Sequence, residues 1–259
     1  MSALKSPVRR VLTCLSLSVG MGGWACSLAH AEEVQVAVAA NFVGAFQKIS
    51  AGFTAATGHK VVSSSGSTGK FYMQIQQGAP FEVLLAADDE TPAKIEADGL
   101  GVKGSHFTYA VGKLVLWSAK ADGVDKDGEV LKKGQFTHLA VANPKLAPYG
   151  AAGMEALKAL GLLASVQPKI VQGDNIAQAF QFVATGNAEL GFVALAQVAA
   201  PDKPAGGSYW LVPASLYTPI RQDVVLLSKG ADNPAAKALM NYLRSDAAKE
   251  VIKAYGYGL

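Results

Sequence analysis

Short apolar strands that each lead into a polar or glycine-rich turn and then into a helix are the feature that most limits how this sequence can fold. Residues 34–39, 61–63 and 81–86 read as strands, with amphipathic helical segments between them. This alternation predicts a parallel sheet covered by helices on both faces. Ligands of such sheets bind beyond the carboxyl ends of the strands, so we expect a binding site at that edge.

The same alternation returns after residues 109–113. Segments 139–142, 170–171 and 190–193 read as strands followed by helices, and a single helix is predicted from Pro234 to about Tyr255. We interpret the last segments as returning to the first unit. The prediction is two α/β lobes, formed by residues 32–110 plus 217–259 and by residues 111–216. A cleft between two lobes is a typical small-ligand site, and hinge closure is the expected motion.

The N-terminus has the pattern of a secretory leader. Three basic residues fall within the first ten, an apolar run follows over 11–28, and Ala29-His30-Ala31 fits the small-x-small cleavage rule. Residues 1–31 are therefore predicted to be a signal peptide, with Glu32 the first mature residue. A membrane anchor is disfavoured, because glycines interrupt the apolar run and no stop-transfer flank follows it.

Removal of this leader changes both the charge and the cysteine content. The full chain has 23 Lys and Arg against 20 Asp and Glu, and the leader holds three basic residues but no acidic ones. The mature chain is thus close to neutral, which argues against nucleic acid or an anionic membrane as a partner. Both cysteines, Cys14 and Cys26, lie in the leader, so the mature protein depends on its apolar core rather than on disulfides.

Four strand–turn–helix junctions suggest a binding chemistry. They lie at residues 39–42, 65–69, 147–150 and 173–176. A helix N-terminus has unpaired N–H groups and a partial positive charge, so it binds anions without help from arginine. We hypothesise that all four helix starts point at one small anion. The alternative is that each junction is an ordinary capped helix start, since Asn, Ser and Thr are common N-caps.

Individual residues at these junctions have separate interpretations. Asn41 is predicted to cap the first helix. Asp174 is predicted to cap the helix that begins just after it, because its carboxylate would repel a bound anion if it pointed into the site. The contact expected from that turn is the N–H of Ile176. Arg221 is interpreted as a surface or inter-lobe residue. Tyr255 and Tyr257 suggest a phenolate iron site, but the neighbouring Gly256 and Gly258 favour an ordinary chain end.

Motifs for catalysis, nucleotides and metals are missing from the sequence. The run Gly66-Ser67-Thr68-Gly69-Lys70 lacks the glycine and the Ser/Thr of a phosphate loop. The histidines of the mature chain, His59, His106 and His138, have no metal-ligand spacing, and neither a GxSxG elbow nor a CxxC pair occurs. We expect neither an enzyme nor a cofactor nor a free-cation site.

Several motifs in order resemble one family. These are residues 38–42, 63–69, 74–75, 78–80, 87–88, 143–150, 190–193 and 255–257. Together they resemble the periplasmic molybdate-binding proteins of ABC transporters over essentially the whole mature chain. The resemblance implies a type II periplasmic-binding-protein fold that closes on molybdate or tungstate in the periplasm and delivers it to a membrane permease. We expect a monomer.

The resemblance also implies which residues hold the oxyanion. Its contacts fall on Asn41, on Thr68 and on the backbone N–H groups of Tyr149 and Ile176. Molybdenum would thus be bound as an oxyanion by these same residues. Many family members add a tyrosine hydroxyl where this chain has Ala194, and Tyr149 could supply that hydroxyl from another wall of the site.

A site built only of hydrogen-bond donors suits a fully deprotonated oxyanion. A protonated phosphate needs an acceptor and should be rejected, whereas sulfate can be excluded only by the size of the cavity. Binding of another oxyanion such as sulfate therefore stays open. So do an enzyme built on the same fold, for which no constellation is visible, and a periplasmic sensor that signals to a membrane kinase.

Overall fold

The computed structural model of the chain describes residues 31–259. The strands of this part are β1 (Glu33–Ala39), β2 (Lys60–Gly66), β3 (Val83–Leu85), β4 (Phe107–Gly112), β5 (Leu114–Ser118), β6 (Leu139–Ala142), β7 (Ile170–Gly173), β8 (Leu190–Ala194), β9 (Ser208–Leu211) and β10 (Ile220–Leu226). Its α-helices are α1 (Val43–Thr57), α2 (Thr68–Gln76), α3 (Glu90–Ala97), α4 (Glu129–Lys133), α5 (Pro148–Ala159), α6 (Leu163–Val166), α7 (Ile176–Ala184), α8 (Leu195–Val198), α9 (Pro234–Tyr242) and α10 (Asp246–Ala254).

The strands form two five-stranded sheets, one in each lobe. The first has the order β2-β1-β3-β10-β4 and the second the order β7-β6-β8-β5-β9. In each, the three strands linked through helices are parallel, while β10 and β5 run antiparallel to their neighbours. The predicted two-lobed α/β fold is confirmed. The sheets are mixed rather than wholly parallel. The chain passes between the lobes at the β4–β5 and β9–β10 connections, and neither of these contains the helical crossover that parallel strands need.

Helix α1 shows how the sequence specifies these elements. Its buried residues Ala45, Phe46, Ile49 and Phe53 recur at helical spacing and pack in the core of the first lobe against β1. Gly58 ends the helix with φ of 77°, a left-handed conformation that glycine adopts at little cost. Both features agree with the periodicity of the sequence. The β1–α1 junction, which precedes this helix, lies at the carboxyl edge of the sheet.

The boundaries of α3 and of the C-terminal helix differ from the prediction. The C-terminal helix is broken into α9 and α10, because the Ser245 hydroxyl accepts the Ala248 N–H (3.3 Å) and caps a new helix. Helix α3 begins at Glu90 rather than after Thr91, and the Asp88 carboxylate accepts the Thr91 N–H (2.8 Å). Pro92 fits inside this first turn, where N–H groups have no intrahelical partner.

The predicted signal peptide, residues 1–31, lies outside the described residues except for Ala31, and so do both cysteines. No helix within residues 31–259 is long and apolar enough to cross a membrane. The exact lobe boundaries, 32–110 plus 217–259 and 111–216, stay a prediction.

Glu96 joins the end of α3 to the loop that precedes β4. Its carboxylate accepts the N–H groups of Gly104 (2.8 Å), Ser105 (2.9 Å) and His106 (2.8 Å), and its side chain is only 10% exposed. Burial alone would raise the pKa of Glu96. The hydrogen bonds from Gly104 and His106, together with the His106 side chain, outweigh burial and lower this pKa to about 2.

Replacing Glu96 by glutamine is therefore expected to reduce stability in a pH-dependent way. A carboxylate whose pKa falls on folding stabilises the protein above its unfolded pKa, and this contribution is lost as the pH falls toward 2. We expect Glu96→Gln to cost about 1–3 kcal/mol at pH 7, with the difference from wild type shrinking toward pH 3. Urea unfolding at both pH values measures it. Glu90→Gln, an exposed change on the same helix, is the control; a pH-independent loss would contradict the prediction.

Candidate functional site

The four junctions singled out in the sequence meet at one small cavity between the lobes. They follow β1, β2, β6 and β7 and lead into α1, α2, α5 and α7. The described residues that line the cavity carry no charged side chain; they are Ala39, Ala40, Asn41, Gly66, Ser67, Thr68, Ala87, Ala147, Pro148, Tyr149, Asn175 and Ile176. All four predicted site residues are among them. Their roles as ligand contacts stay predictions.

Thr68 is the first residue of α2 and is 1% exposed. Its Oγ1 accepts the N–H of Ala87 (2.9 Å) from the loop after β3. This bond uses the oxygen as an acceptor, so the hydroxyl proton is left to be donated. The Thr68 backbone N–H belongs to the first helical turn, where N–H groups have no intrahelical acceptor. The residue thus combines two kinds of donor at one wall of the cavity.

Ser67 precedes Thr68 and was missed by the sequence reasoning. A serine at this N-cap position normally accepts an N–H from its own helix, so the sequence offers no reason to assign it to a ligand. In the described part of the chain, the Ser67 side chain makes no cap bond to α2. The Ser67 Oγ is buried, and it has no hydrogen-bond partner within residues 31–259. Ser67 is 3% exposed and lines the cavity.

Asn41 does not cap α1, which corrects the prediction. The helix begins at Val43, and Phe42 occupies the N-cap position. The side-chain nitrogen of Asn41 instead donates to Gln222 Oε1 (2.9 Å) and to the Tyr257 hydroxyl (3.1 Å). Both amide hydrogens are therefore used inside the protein. The group that Asn41 can offer an anion is its backbone N–H.

Tyr149 comes from the second lobe, in the first turn of α5. This helix begins at Pro148, earlier than the predicted start at residue 151, because proline suits the first helical position. The Tyr149 hydroxyl accepts the Gln222 Nε2–H (3.1 Å) across the lobes. Burial raises the pKa of Tyr149 well above its usual range, so the phenol keeps its proton at neutral pH. The proposal that this hydroxyl replaces the one missing at Ala194 stays a prediction.

Ile176 is the first residue of α7, and Asn175 rather than Asp174 caps that helix. Asn175 Oδ1 accepts the N–H groups of the second and third helical residues (2.9 and 3.1 Å). The predicted capping role of Asp174 is wrong, because Asn175 already occupies the N-cap position. The Asp174 carboxylate instead pairs with Lys70 of the first lobe (Nζ to Oδ2, 2.7 Å). This pairing offsets a negative charge near the cavity.

Comparisons with known proteins place this arrangement in a family. A family model of bacterial extracellular solute-binding proteins matches residues 34–258. The molybdate-binding protein ModA of Azotobacter vinelandii is 62% identical over 248 residues, which cover 96% of this chain and 98% of that protein. The chain belongs to the ModA family of bacterial extracellular solute-binding proteins.

Two further relatives support this membership. The ModA of Rhodobacter capsulatus is 49% identical over 257 residues and 99% of both chains. The structure of the periplasmic molybdate-binding protein of Azotobacter vinelandii matches with a TM-score of 0.83 and 44% identity, covering 87% of this chain and 99% of that one. The resemblance inferred from the motifs is confirmed. Because the relatives are solute-binding proteins, the prediction that this chain is not an enzyme is confirmed through its family.

The other residues discussed from the sequence lie away from the cavity or contact residues that line it. Arg221 is exposed on the first lobe, with Nε 3.4 Å from an Asp89 carboxylate oxygen and Nη2 donating to Thr108 Oγ1 (3.1 Å). Within residues 31–259, no cluster of three or more metal-ligating side chains occurs. The Tyr257 hydroxyl is buried and donates to the Asn41 carbonyl (2.8 Å), so the C-terminal segment contacts the β1–α1 junction.

The ion pair between Lys70 and Asp174 is expected to contribute little to ligand affinity. Its side chains are 40% and 66% exposed, and such pairs are worth about 0–1 kcal/mol. We expect Asp174→Asn to change molybdate affinity by less than about 5-fold at low salt and less still at high salt. Titration calorimetry at two salt concentrations measures this, with Asp202→Asn, from the exposed pair with Lys48 (2.7 Å), as the control. A salt-independent loss above 10-fold would place Asp174 in the binding machinery.

Proposed function

We propose that this protein captures molybdate or tungstate in the periplasm, between its two lobes, and delivers it to the membrane permease of an ABC transporter. The observation that carries the proposal is the cavity where four helix starts meet and where the side chains that line it, among residues 31–259, are neutral. Close relatives named as molybdate-binding proteins support the choice of ligand. The protein would act as a monomer, with lobes formed by residues 32–110 plus 217–259 and by residues 111–216.

The proposed chemistry is recognition of a dianion by fixed, neutral donors. Helix N-termini supply a partial positive charge and N–H groups that need no reorganisation on binding. The first lobe would contribute Asn41 through its N–H and Thr68 through its hydroxyl and N–H. The second lobe would contribute the N–H groups of Tyr149 and Ile176. Molybdate and tungstate need only donors, whereas a protonated phosphate would leave its own proton without an acceptor.

Contacts between the lobes support a closure step. The N–H of Gly69, in the first turn of α2, donates to the Leu146 carbonyl of the second lobe (2.9 Å). Gln222 and Tyr149 add a second bond between the lobes (3.1 Å). Because the donors come from both lobes, an anion would bind the closed form better than the open one and shift the population toward it.

The test is a calorimetric titration of residues 32–259 with molybdate, tungstate, sulfate and phosphate in turn. We expect tight one-to-one binding of molybdate and tungstate, weak binding of sulfate and none of phosphate. Sulfate binding as tightly as molybdate would assign a smaller oxyanion as the ligand. Binding of none of the four would contradict the proposed function. Co-purification with a permease, rather than with a membrane kinase, would test the delivery step.

A further inference from the structure

Gln222 on β10 joins the anion-facing turns of the two lobes. It is fully buried, and its side chain contacts three others. Oε1 accepts from Asn41 Nδ2 (2.9 Å), and Nε2 donates to the Tyr149 hydroxyl (3.1 Å). Oε1 also lies 3.0 Å from the Tyr109 hydroxyl, which shares its one proton with the Ala86 carbonyl (2.8 Å). Asn41 and Tyr109 belong to the first lobe and Tyr149 to the second. A single amide thus connects residues on both sides of the cavity.

The direction of these bonds follows from one end of the network. Tyr257 donates its only proton to the Asn41 carbonyl (2.8 Å), so its oxygen can only accept from the Asn41 side chain. This fixes the Asn41 amide nitrogen toward Tyr257. The same nitrogen reaches Gln222, which must therefore present its oxygen there and its nitrogen to Tyr149. The Tyr149 oxygen accepts that bond, and its own proton is left over.

We propose that Gln222 is a positioning residue that leaves the Tyr149 hydroxyl proton free to be donated to the bound oxyanion in the closed form. The inference rests on the proposed function. An amide in this orientation presents its nitrogen to Tyr149, so Gln222 cannot accept the phenol proton. The bond exists only when the lobes meet, so it also favours the closed form.

Gly112 is consistent with this role. A Cβ atom at this position would overlap both the Tyr149 hydroxyl and the Gln222 amide. The end of β4 therefore offers no side chain at the point where the two lobes exchange this hydrogen bond. The Tyr149 hydroxyl and the Gln222 amide fill the space that a side chain at residue 112 would take.

The test compares Gln222→Glu and Gln222→Met, alone and combined with Tyr149→Phe. Glutamate keeps the shape but accepts at both oxygens, so Tyr149 would donate to it; methionine keeps the bulk without polarity or charge. We expect Tyr149→Phe to weaken molybdate binding about 10-fold in the wild type but less than about 2-fold in the Gln222→Glu background. Gln222→Met should raise the dissociation rate of molybdate about 10-fold and leave the association rate unchanged.

Several outcomes would overturn the inference. One is that Gln222→Glu and Gln222→Met bind molybdate as the wild type does. Another is that Tyr149→Phe costs the same in every background. A lowered unfolding temperature of the ligand-free variants with unchanged dissociation rates would assign Gln222 a structural role only. Failure of the wild type to bind molybdate would instead refute the proposed function, so the two failures are distinguishable.

Ser67 carries a second inference, from a different observation. Its hydroxyl is buried at the cavity wall with no partner within residues 31–259, although buried hydroxyls are normally hydrogen-bonded. A ligand that accepts hydrogen bonds would satisfy it. We infer that Ser67 donates a hydrogen bond to the bound oxyanion, next to Thr68.

Ser67→Ala separates this role from a structural one. We expect about 10-fold weaker molybdate binding together with an unchanged or higher unfolding temperature of the ligand-free protein, because the variant removes an unsatisfied polar group. A serine that supports the fold would show the opposite pattern. Ser65→Ala, an exposed change two residues earlier at the end of β2, is the matched control. Unchanged molybdate affinity of Ser67→Ala would overturn the inference.

Discussion

Replacing Thr68 by valine is expected to weaken molybdate binding by about 10- to 100-fold, because a hydrogen bond to a charged group contributes about 1.5–3 kcal/mol. Valine has nearly the shape of threonine but no hydroxyl. In the structure Thr68 Oγ1 accepts the Ala87 N–H (2.9 Å), and the hydroxyl proton is left for an anion. The variant removes this donor from the cavity wall. Calorimetric titration with molybdate measures the loss.

The same variant should also destabilise the fold slightly, since the Ala87 N–H loses its acceptor at a cost of about 1–3 kcal/mol. Thr68→Ser is the control, because it keeps both the acceptor and the proton and should bind within about 3-fold of the wild type. Urea unfolding without ligand separates the two effects. If Thr68→Val binds molybdate as tightly as Thr68→Ser does, Thr68 is not a contact of the anion.

Replacing Gly69 by leucine is expected to prevent the lobes from closing. A Cβ on Gly69 would lie 3.0 Å from Leu146 Cα and 3.2 Å from the Leu146 carbonyl oxygen, so even one carbon is tightly fitted there. Gly69 belongs to the first lobe and Leu146 to the second. A leucine would have to separate the two, and overpacking of this kind costs about 1–3 kcal/mol, or about 5- to 150-fold in molybdate affinity.

This effect should be confined to the closed form. Leucine is a better helix former than glycine, so the ligand-free protein should unfold no more easily than the wild type. Small-angle X-ray scattering should show that molybdate compacts the wild type but not Gly69→Leu. Gln74→Leu, at an exposed position of the same helix, adds the same side chain away from the second lobe and is the matched control. Compaction of the Gly69 variant by molybdate would contradict the role assigned to this contact.

Local patterns were sufficient for most of the fold. Apolar periodicity placed α1 and its buried face, Gly58 marked its end, and the order of strands and helices indicated two α/β lobes. The same patterns brought Thr68 and Ile176 to helix starts at the correct edge. Such signals depend on residues a few positions apart, so they can be read from the chain alone.

The hydrogen-bond and ion-pair partners of the polar side chains could not be predicted from local sequence. Asparagine is a common N-cap residue, yet the Asn41 amide bonds to Gln222, 181 residues away, and to Tyr257, 216 residues away. Asp174 was predicted to cap its own helix, yet Lys70 of the other lobe is its partner. A polar side chain of either type can bond to many donors or acceptors, and only the packing of distant segments decides which of them lies next to it.

The sequence by itself determined the fold class and the four strand–helix junctions, because periodicity and turn residues are local properties of the chain, and its motifs showed the resemblance to the family. The tertiary structure decided that the Ser67 hydroxyl has no partner among residues 31–259, that Gln222 connects Asn41 to Tyr149, and that Gly69 lies against the second lobe. These facts depend on where two lobes meet. Burial and hydrogen-bond geometry at such an interface arise only when segments far apart in the chain are brought together.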